Sequence, residues 1–337
     1  MSKKKRSYPD IPPRPLAAPI VDNHTHIDPA AHSVTALPAG SAVADLDPGS
    51  TFADILLAGM NRSGIRAAIT SGCEVPDLEP TLALARRHPG RIFAALAIHP
   101  NDAPLHSAIH EKSPDGAIYE QRPWHREFSL DAAIAQVAEL ASAPEVVAIG
   151  ETGLDYFRTG EAGKAAQQQA FRAHIALAKE SGKPMQIHDR DAHRDVVEIL
   201  KRDGAPERTI FHCFSGDVEL AQICAENGWF ASFAGPLTYH ANAALRAAFL
   251  ALPPQLVLVE TDAPYLTPEP FRGHPNIAWA AAYTARYMAW LRLDPDAPAT
   301  TNATAAEIQA AASAVTPEIE LAWCEQLNAN TKAVYGI

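Results

Sequence analysis

Ile20-Val21-Asp22-Asn23-His24-Thr25-His26-Ile27-Asp28 is the stretch on which the fold turns. Two apolar residues run into an alternation that places His24 and His26 two positions apart, so on an extended strand both imidazoles leave the same face. They can therefore hold one ion. A His-x-His at the end of an early strand, joined by His and carboxylate from later strands, is how a parallel barrel builds a metal site at its mouth. The rest of the chain has to provide those later ligands.

A chain of 337 residues with 47% hydrophobic and 20% charged side chains suffices for one large α/β core. No run of about 18 apolar residues appears, so no membrane span is expected. The basic Met1 to Arg6 is followed by a Pro-rich stretch instead of the apolar core of a secretory signal, and a cytoplasmic location is the expectation. Cys73, Cys213, Cys224 and Cys324 form no Cys-x-x-Cys pair and read as buried thiols. A net charge of -11 argues against a broad basic face that coats nucleic acid. It leaves room for a small phosphate-reading mouth whose charge is set by bound cations.

Residues 1–18, with Pro9, Pro12, Pro13 and Pro15, read as a loose basic arm, and 19–337 as a single barrel. After Pro19, strand-like runs alternate with amphipathic stretches, the pattern of repeated βα units. Strands are expected near 20–26, 66–71, 92–99, 146–151, 184–188, 209–213, 229–233 and 256–261, with helices between them such as 165–180 and 191–201. Eight strands, mostly followed by helices, predict a (β/α)8 TIM barrel, and no Gly-x-Gly-x-x-Gly follows the first strand to support a dinucleotide fold. Two segments exceed a minimal barrel. Residues 101–128 read as a long insertion after the third strand, solvated rather than a substrate lid, and 295–317 as an Ala/Thr-rich surface elaboration.

The metal-binding residue types fall in telling places. His24 and His26 close the first strand, Glu151 the fourth, His188 the fifth, His212 the sixth and Asp262 the eighth. All are at C-terminal strand ends, the face where barrel enzymes place their chemistry. With 14 His in the whole chain, four at matching strand ends do not read as chance. Six ligands exceed what one tetrahedral ion needs, so two divalent ions are implied, with Glu151 the natural bridge. Imidazole and carboxylate without thiolate suit Zn, Mn, Fe or Mg, and the sequence does not choose among them.

Beyond these ligands, the sequence resembles the TatD family of metal-dependent deoxyribonucleases, of the amidohydrolase-like superfamily. The resemblance lies in Asp22-Asn23-His24-Thr25-His26, Ser71-Gly72-Cys73, Ile98-His99-Pro100, Gly150-Glu151-Thr152-Gly153-Leu154-Asp155-Tyr156, Gln186-Ile187-His188-Asp189-Arg190, His212-Cys213-Phe214-Ser215-Gly216 and Glu260-Thr261-Asp262-Ala263-Pro264-Tyr265-Leu266. It implies a two-metal hydrolase of nucleic-acid phosphodiesters that trims single-stranded DNA from the 3′ end. Carried over by position, His24, His26 and Asp262 would hold one ion, His188 and His212 the second, and Glu151 both. Asp262 would also handle the proton of the attacking water, Arg190 would contact phosphate, and His99 would orient substrate or cap the third strand. Two departures bear on substrate range: Asp189 stands where the family has Ser, and Ile277-Ala278 where it has Glu-Pro.

Two rival functions remain at this stage. One is hydrolysis of a C–N bond or of a D-aminoacyl-tRNA ester at the same mouth. Many C–N hydrolases of this barrel use a modified Lys where this chain has Glu151, which favours phosphoryl chemistry. The other is a non-catalytic metal-bound scaffold, against which six intact ligands speak.

Overall fold

The computed structural model describes residues 7–28, 51–293 and 315–337. The Lys3 to Arg6 run and nearly all of the 295–317 elaboration lie outside the described residues. Eight strands, β1 (Ile20–Thr25), β2 (Ile65–Gly72), β3 (Ile92–Leu96), β4 (Val146–Asp155), β5 (Met185–Arg190), β6 (Thr209–Phe211), β7 (Phe230–Phe233) and β8 (Val257–Val259), follow one another in sheet order β1 to β8. Helices alternate with them, and the fold is the (β/α)8 barrel that the apolar runs predict. Strand placements agree to within a few residues, except that β4 continues past Glu151 to Asp155.

Local signals set the helices. In α1 (Phe52–Ser63), Thr51 and Asp54 form a reciprocal capping box, and Gly64 at φ 84° ends the helix in the left-handed conformation. The remaining helices are α2 (Val75–Arg87), α3 (Ala103–His106), α4 (Pro123–Glu127), α5 (Leu130–Leu140), α6 (Lys164–Ser181), α7 (His193–Asp203), α8 (Val218–Asn227), α9 (Ala243–Ala251), α10 (Ala281–Leu293) and α11 (Pro317–Tyr335).

The chain packs as two compact units, one from residues 1–69 and 216–337, the other from 70–215. In the first, β7 and β8 pair in parallel, Ala231 opposite Val257 and Phe233 opposite Val259. The end of β8 meets the end of β1, where Asp262 N donates to the His24 carbonyl at 3.0 Å and His26 N to that of Ala263 at 2.7 Å. Asp22 stitches the same seam by accepting from Thr261 N and Oγ1 at 2.8 and 2.6 Å. Burial pushes the Asp22 carboxyl well above the usual range even against those two hydrogen bonds.

Residues 7–19 contain no helix or strand, as five prolines from Pro9 to Pro19 dictate. They are not loose, however. Trp279 Nε1 donates to Pro9 O, Arg286 Nη2 to Arg14 O and Pro15 O, and Leu16 N to Ser63 O. Glu320 on α11 accepts from Arg14, Arg286 and Ala17 N at 2.6 to 3.2 Å.

In the second unit, β3 to β6 pair in parallel around a core of Ile149, Phe171, Ile187 and Phe211. Most of residues 101–128 are exposed or half-buried, but part of the insertion is not solvated. Asp102, Leu105, His106, Ser113 and His125 are buried, and His125 Nε2 lies 2.8 Å from Asp102 Oδ1. Their polarity hid this, because Asp102 and His125 pair with each other and His106 Nδ1 lies 2.8 Å from the Phe128 carbonyl oxygen.

Candidate metal centre

Glu151 owes its position to a fault in the ladder. The β4–β5 register shifts between Ile149 and Thr152, and a bulge of this kind re-aims a side chain. A Cβ on Gly150 would come within 2.6 Å of Gln186 Cβ, and one on Gly153, at φ 142°, would overlap the His188 carbonyl oxygen. Only glycine lets β5 lie this close on both sides of Glu151.

Around the Glu151 carboxylate gather three imidazoles of the same unit. Its Oε1 lies 2.5 Å from His188 Nδ1, 2.8 Å from His212 Nε2 and 3.4 Å from His99 Nε2. Cys73 Sγ donates to Oε2 from 3.8 Å. Burial alone would raise the carboxyl's proton affinity, but His212, His99 and His188 overcome it and hold the group well below its ordinary range.

On the far side of the His188 ring, Nε2 meets Asp155 Oδ2 at 3.2 Å. Asp155 is itself fixed by Asn101 Nδ2 at 3.1 Å and by Arg158 N at 2.8 Å. A carboxylate bonded to one ring nitrogen selects the tautomer and aims the other nitrogen. Burial disfavours charge on His188, yet Asp155 and Glu151 prevail and push the imidazole up to about 9.

The other unit presents a second set. His24 Nε2 and His26 Nε2 face each other at 3.3 Å, with Asp262 Oδ1 3.8 Å from the first and 3.4 Å from the second. Asp262 sits at φ 54°, in the left-handed region, a strained conformation for a side chain with a Cβ and one that recurs at functional sites. Asn276 holds the loop behind it, donating to Thr261 O at 2.9 Å and Tyr265 O at 2.7 Å. The Tyr265 ring, 62% exposed, stands edge-on to His26 with centroids 6.3 Å apart.

Both sets pass the test of fit for a divalent ion. His24, His26 and Asp262 form one group of three donor atoms and His99, Glu151 and His188 another, the atoms of each lying within 4.8 Å of one another. The donors are imidazole nitrogen and carboxylate oxygen, which suit such an ion. Thus the structure gathers His24, His26 and Asp262 in one unit and Glu151, His188 and His212 in the other. His99 lies against Glu151, and its Nδ1 accepts from Asn101 N at 3.0 Å. The Arg190 guanidinium lies over Phe157, 3.9 Å from the ring centroid. Asp189, the departure noted above, meets His193 Nδ1 at 2.7 Å.

Sequence reading gave no role to Asp155 or Tyr265. Alternation along β4 would have put 155 on the face of 151, but the glycines disguise the strand's continuation. For Tyr265 the signal in the sequence was its closeness to Asp262 and its place in the matching Glu260 to Leu266 stretch.

A family model described as TatD related DNase matches residues 21–313. A Mycobacterium tuberculosis protein named an uncharacterized metal-dependent hydrolase TatD is 35% identical over 281 residues, covering 81% of this chain and 90% of its own. A protein of Enterobacter lignolyticus named a 3′-5′ ssDNA/RNA exonuclease TatD is 33% identical over 248 residues, covering 70% of this chain and 84% of its own. Among solved structures, the TatD homolog YJJV of Escherichia coli K12 superposes with a TM-score of 0.66 at 24% identity, over 96% of this chain and 100% of that one. That likeness concerns the fold.

Proposed function

The chain belongs to the TatD-related DNase family of metal-dependent hydrolases, and from that premise we propose that it is a two-metal phosphodiesterase that shortens single-stranded DNA from the 3′ end. Residues 19–337 would act as one catalytic barrel. The observation that carries this reading is the Glu151 carboxylate, which takes His188 and His212 on a single oxygen at 2.5 and 2.8 Å. The exonuclease name of the Enterobacter relative supports the substrate class.

In this reading His24, His26 and Asp262 would hold one ion, His188 and His212 the other, and Glu151, as the sequence reading has it, would serve both. Divalent ions, when bound, stabilise charge on phosphoryl oxygens and acidify water. The chain's residues do the rest. Asp262 takes the proton of the attacking water, its carboxylate aimed by the left-handed turn and by Asn276. Asp155 keeps His188 in one tautomer, so that Nδ1 stays a ligand atom. Arg190, placed over Phe157, would bond a phosphate through its N–H groups, and the exposed Tyr265 ring would offer a base a stacking surface beside His26.

The test is incubation with Mg, Mn or Zn and labelled single-stranded DNA, duplex DNA, RNA and charged tRNA. A free 3′ end should be shortened stepwise, and a blocked 3′ end should protect. A circular strand cut as fast as a linear one overturns the end-directed reading; hydrolysis of charged tRNA alone overturns the nuclease.

A further inference from the structure

A row of alternating guanidinium and aromatic groups leaves the end of β5 and runs toward the tip of residues 101–128. Arg190, two positions beyond His188, lies 3.9 Å from the Phe157 ring centroid, and Arg158 lies 5.9 Å from the same centroid. Arg158 Nη1 donates to Tyr119 Oη at 2.6 Å, and its Nε is 3.3 Å from Asp115 Oδ2. Arg158 is 39% exposed along its side chain, Phe157, Tyr119 and Arg190 are half-buried, and Ile118 is 71% exposed. The row starts beside a proposed metal ligand, since Asp155, bonded to His188, also takes the backbone N–H of Arg158.

Such a row suits one class of ligand. Aromatic rings and guanidinium planes accept bases by stacking, whatever the base, while guanidinium edges bond phosphate. Asp115 feels the charge of both arginines, so one carboxylate faces two cations on a chain whose net charge is -11. A duplex hides its base faces, whereas a single strand offers base and phosphate in turn.

We propose that this row is a track for the unreacted part of a single-stranded nucleic acid, with bases against Phe157 and Tyr119 and phosphates on Arg158 and Arg190. The proposal rests on the nuclease reading above and adds where the strand leaves the metal centre. The competing role is a clasp. Glu111 already ties residues 101–128 to the loop after β4, accepting from Ala162 N at 3.2 Å and Gly163 N at 2.9 Å, and the Arg158 contacts would then serve only to reinforce that tie.

The experiment uses the full chain and oligothymidylates of increasing length. Binding is read by fluorescence anisotropy with EDTA, and kcat/KM with Mn. Affinity should climb with length. Arg158→Ala should weaken binding of the longest oligomer about tenfold, reduce the slope of log affinity against log salt by about 0.7 for one lost phosphate, and flatten the rise of kcat/KM with length. Tyr119→Ala should act in the same sense. Asp115→Asn removes the competing carboxylate and should tighten binding, an opposite sign that a damaged fold would not produce. If Arg158→Ala and Asp115→Asn lower thermal stability while affinity, salt slope and length dependence stay at wild type, the clasp is right and the track is wrong. A wild type that trims 3′ ends with length-independent affinity overturns the track alone. One that neither binds nor cuts nucleic acid overturns both readings.

Discussion

Three imidazole nitrogens lie within 3.4 Å of one carboxylate oxygen at Glu151, a donor set that suits a divalent ion. If Glu151 bridges, Glu151→Gln leaves a neutral amide with one oxygen to offer, and metal content measured by elemental analysis should fall from near two ions together with activity. Asp262→Asn should keep the ion of His188, His212 and Glu151 while turnover drops on the order of 10² or more. Unchanged turnover per metal-loaded molecule would leave Asp262 a purely structural hydrogen-bond acceptor. Asp155→Asn separates aim from ligation, because of the two His188 nitrogens Asp155 meets only the one turned away from Glu151. Metal affinity by titration should weaken roughly 10- to 100-fold, with folding intact. That His24, His26 and Asp262 gather in one unit and Glu151, His188 and His212 in the other was legible in the sequence because each lies at or near the end of an apolar run. Asp155 was not, because Gly150 and Gly153 break the run that would have led to it.

At the scale of elements, the bulge in β4 turns a strand into a mount for a side chain. Gly153→Ala would drive a methyl into the His188 carbonyl at a φ that side chains avoid. Gly228, at φ 68° with nothing within 4 Å of its would-be Cβ, supplies the control. Its alanine variant should cost about 1 kcal/mol, and Gly153→Ala clearly more, as denaturant midpoints would show. The start of α2 offers a different handle. Burial, then Asp102 and Asp77, lifts the Glu74 carboxyl from 4.5 to about 7. Because the folded chain then holds this proton more tightly than the unfolded one, the contribution to stability is complete below about 4.5 and is lost as pH rises through about 7. Thermal stability should therefore decline from about pH 5 to 8 less steeply in Glu74→Gln than in wild type. Eight strands were readable from apolar runs; the buried pairs of Asp102, His106 and His125 were not, since nothing local in a polar loop says whether its partners are water or itself.

For the molecule as a whole, the Glu320 cluster is the long-range tie. Glu320 and Arg286 have side chains only 1% and 8% exposed, and removing one partner of a buried ion pair costs about 3–5 kcal/mol, so Glu320→Ala should unfold at distinctly lower denaturant. The sequence could not announce a contact spanning 306 positions, from Arg14 to Glu320. That span also bears on how the chain is made. Residues 70–215 are contiguous and can begin to fold as soon as they clear the ribosome, whereas residues 7–19 wait for Trp279, Arg286 and finally Glu320 to emerge. During synthesis residues 7–19 are thus made well before their partners on α10 and α11. On stalled ribosomes, nascent chains ending before Glu320 should stay open to protease near Arg14, and those carrying α11 clear of the exit tunnel should be protected there.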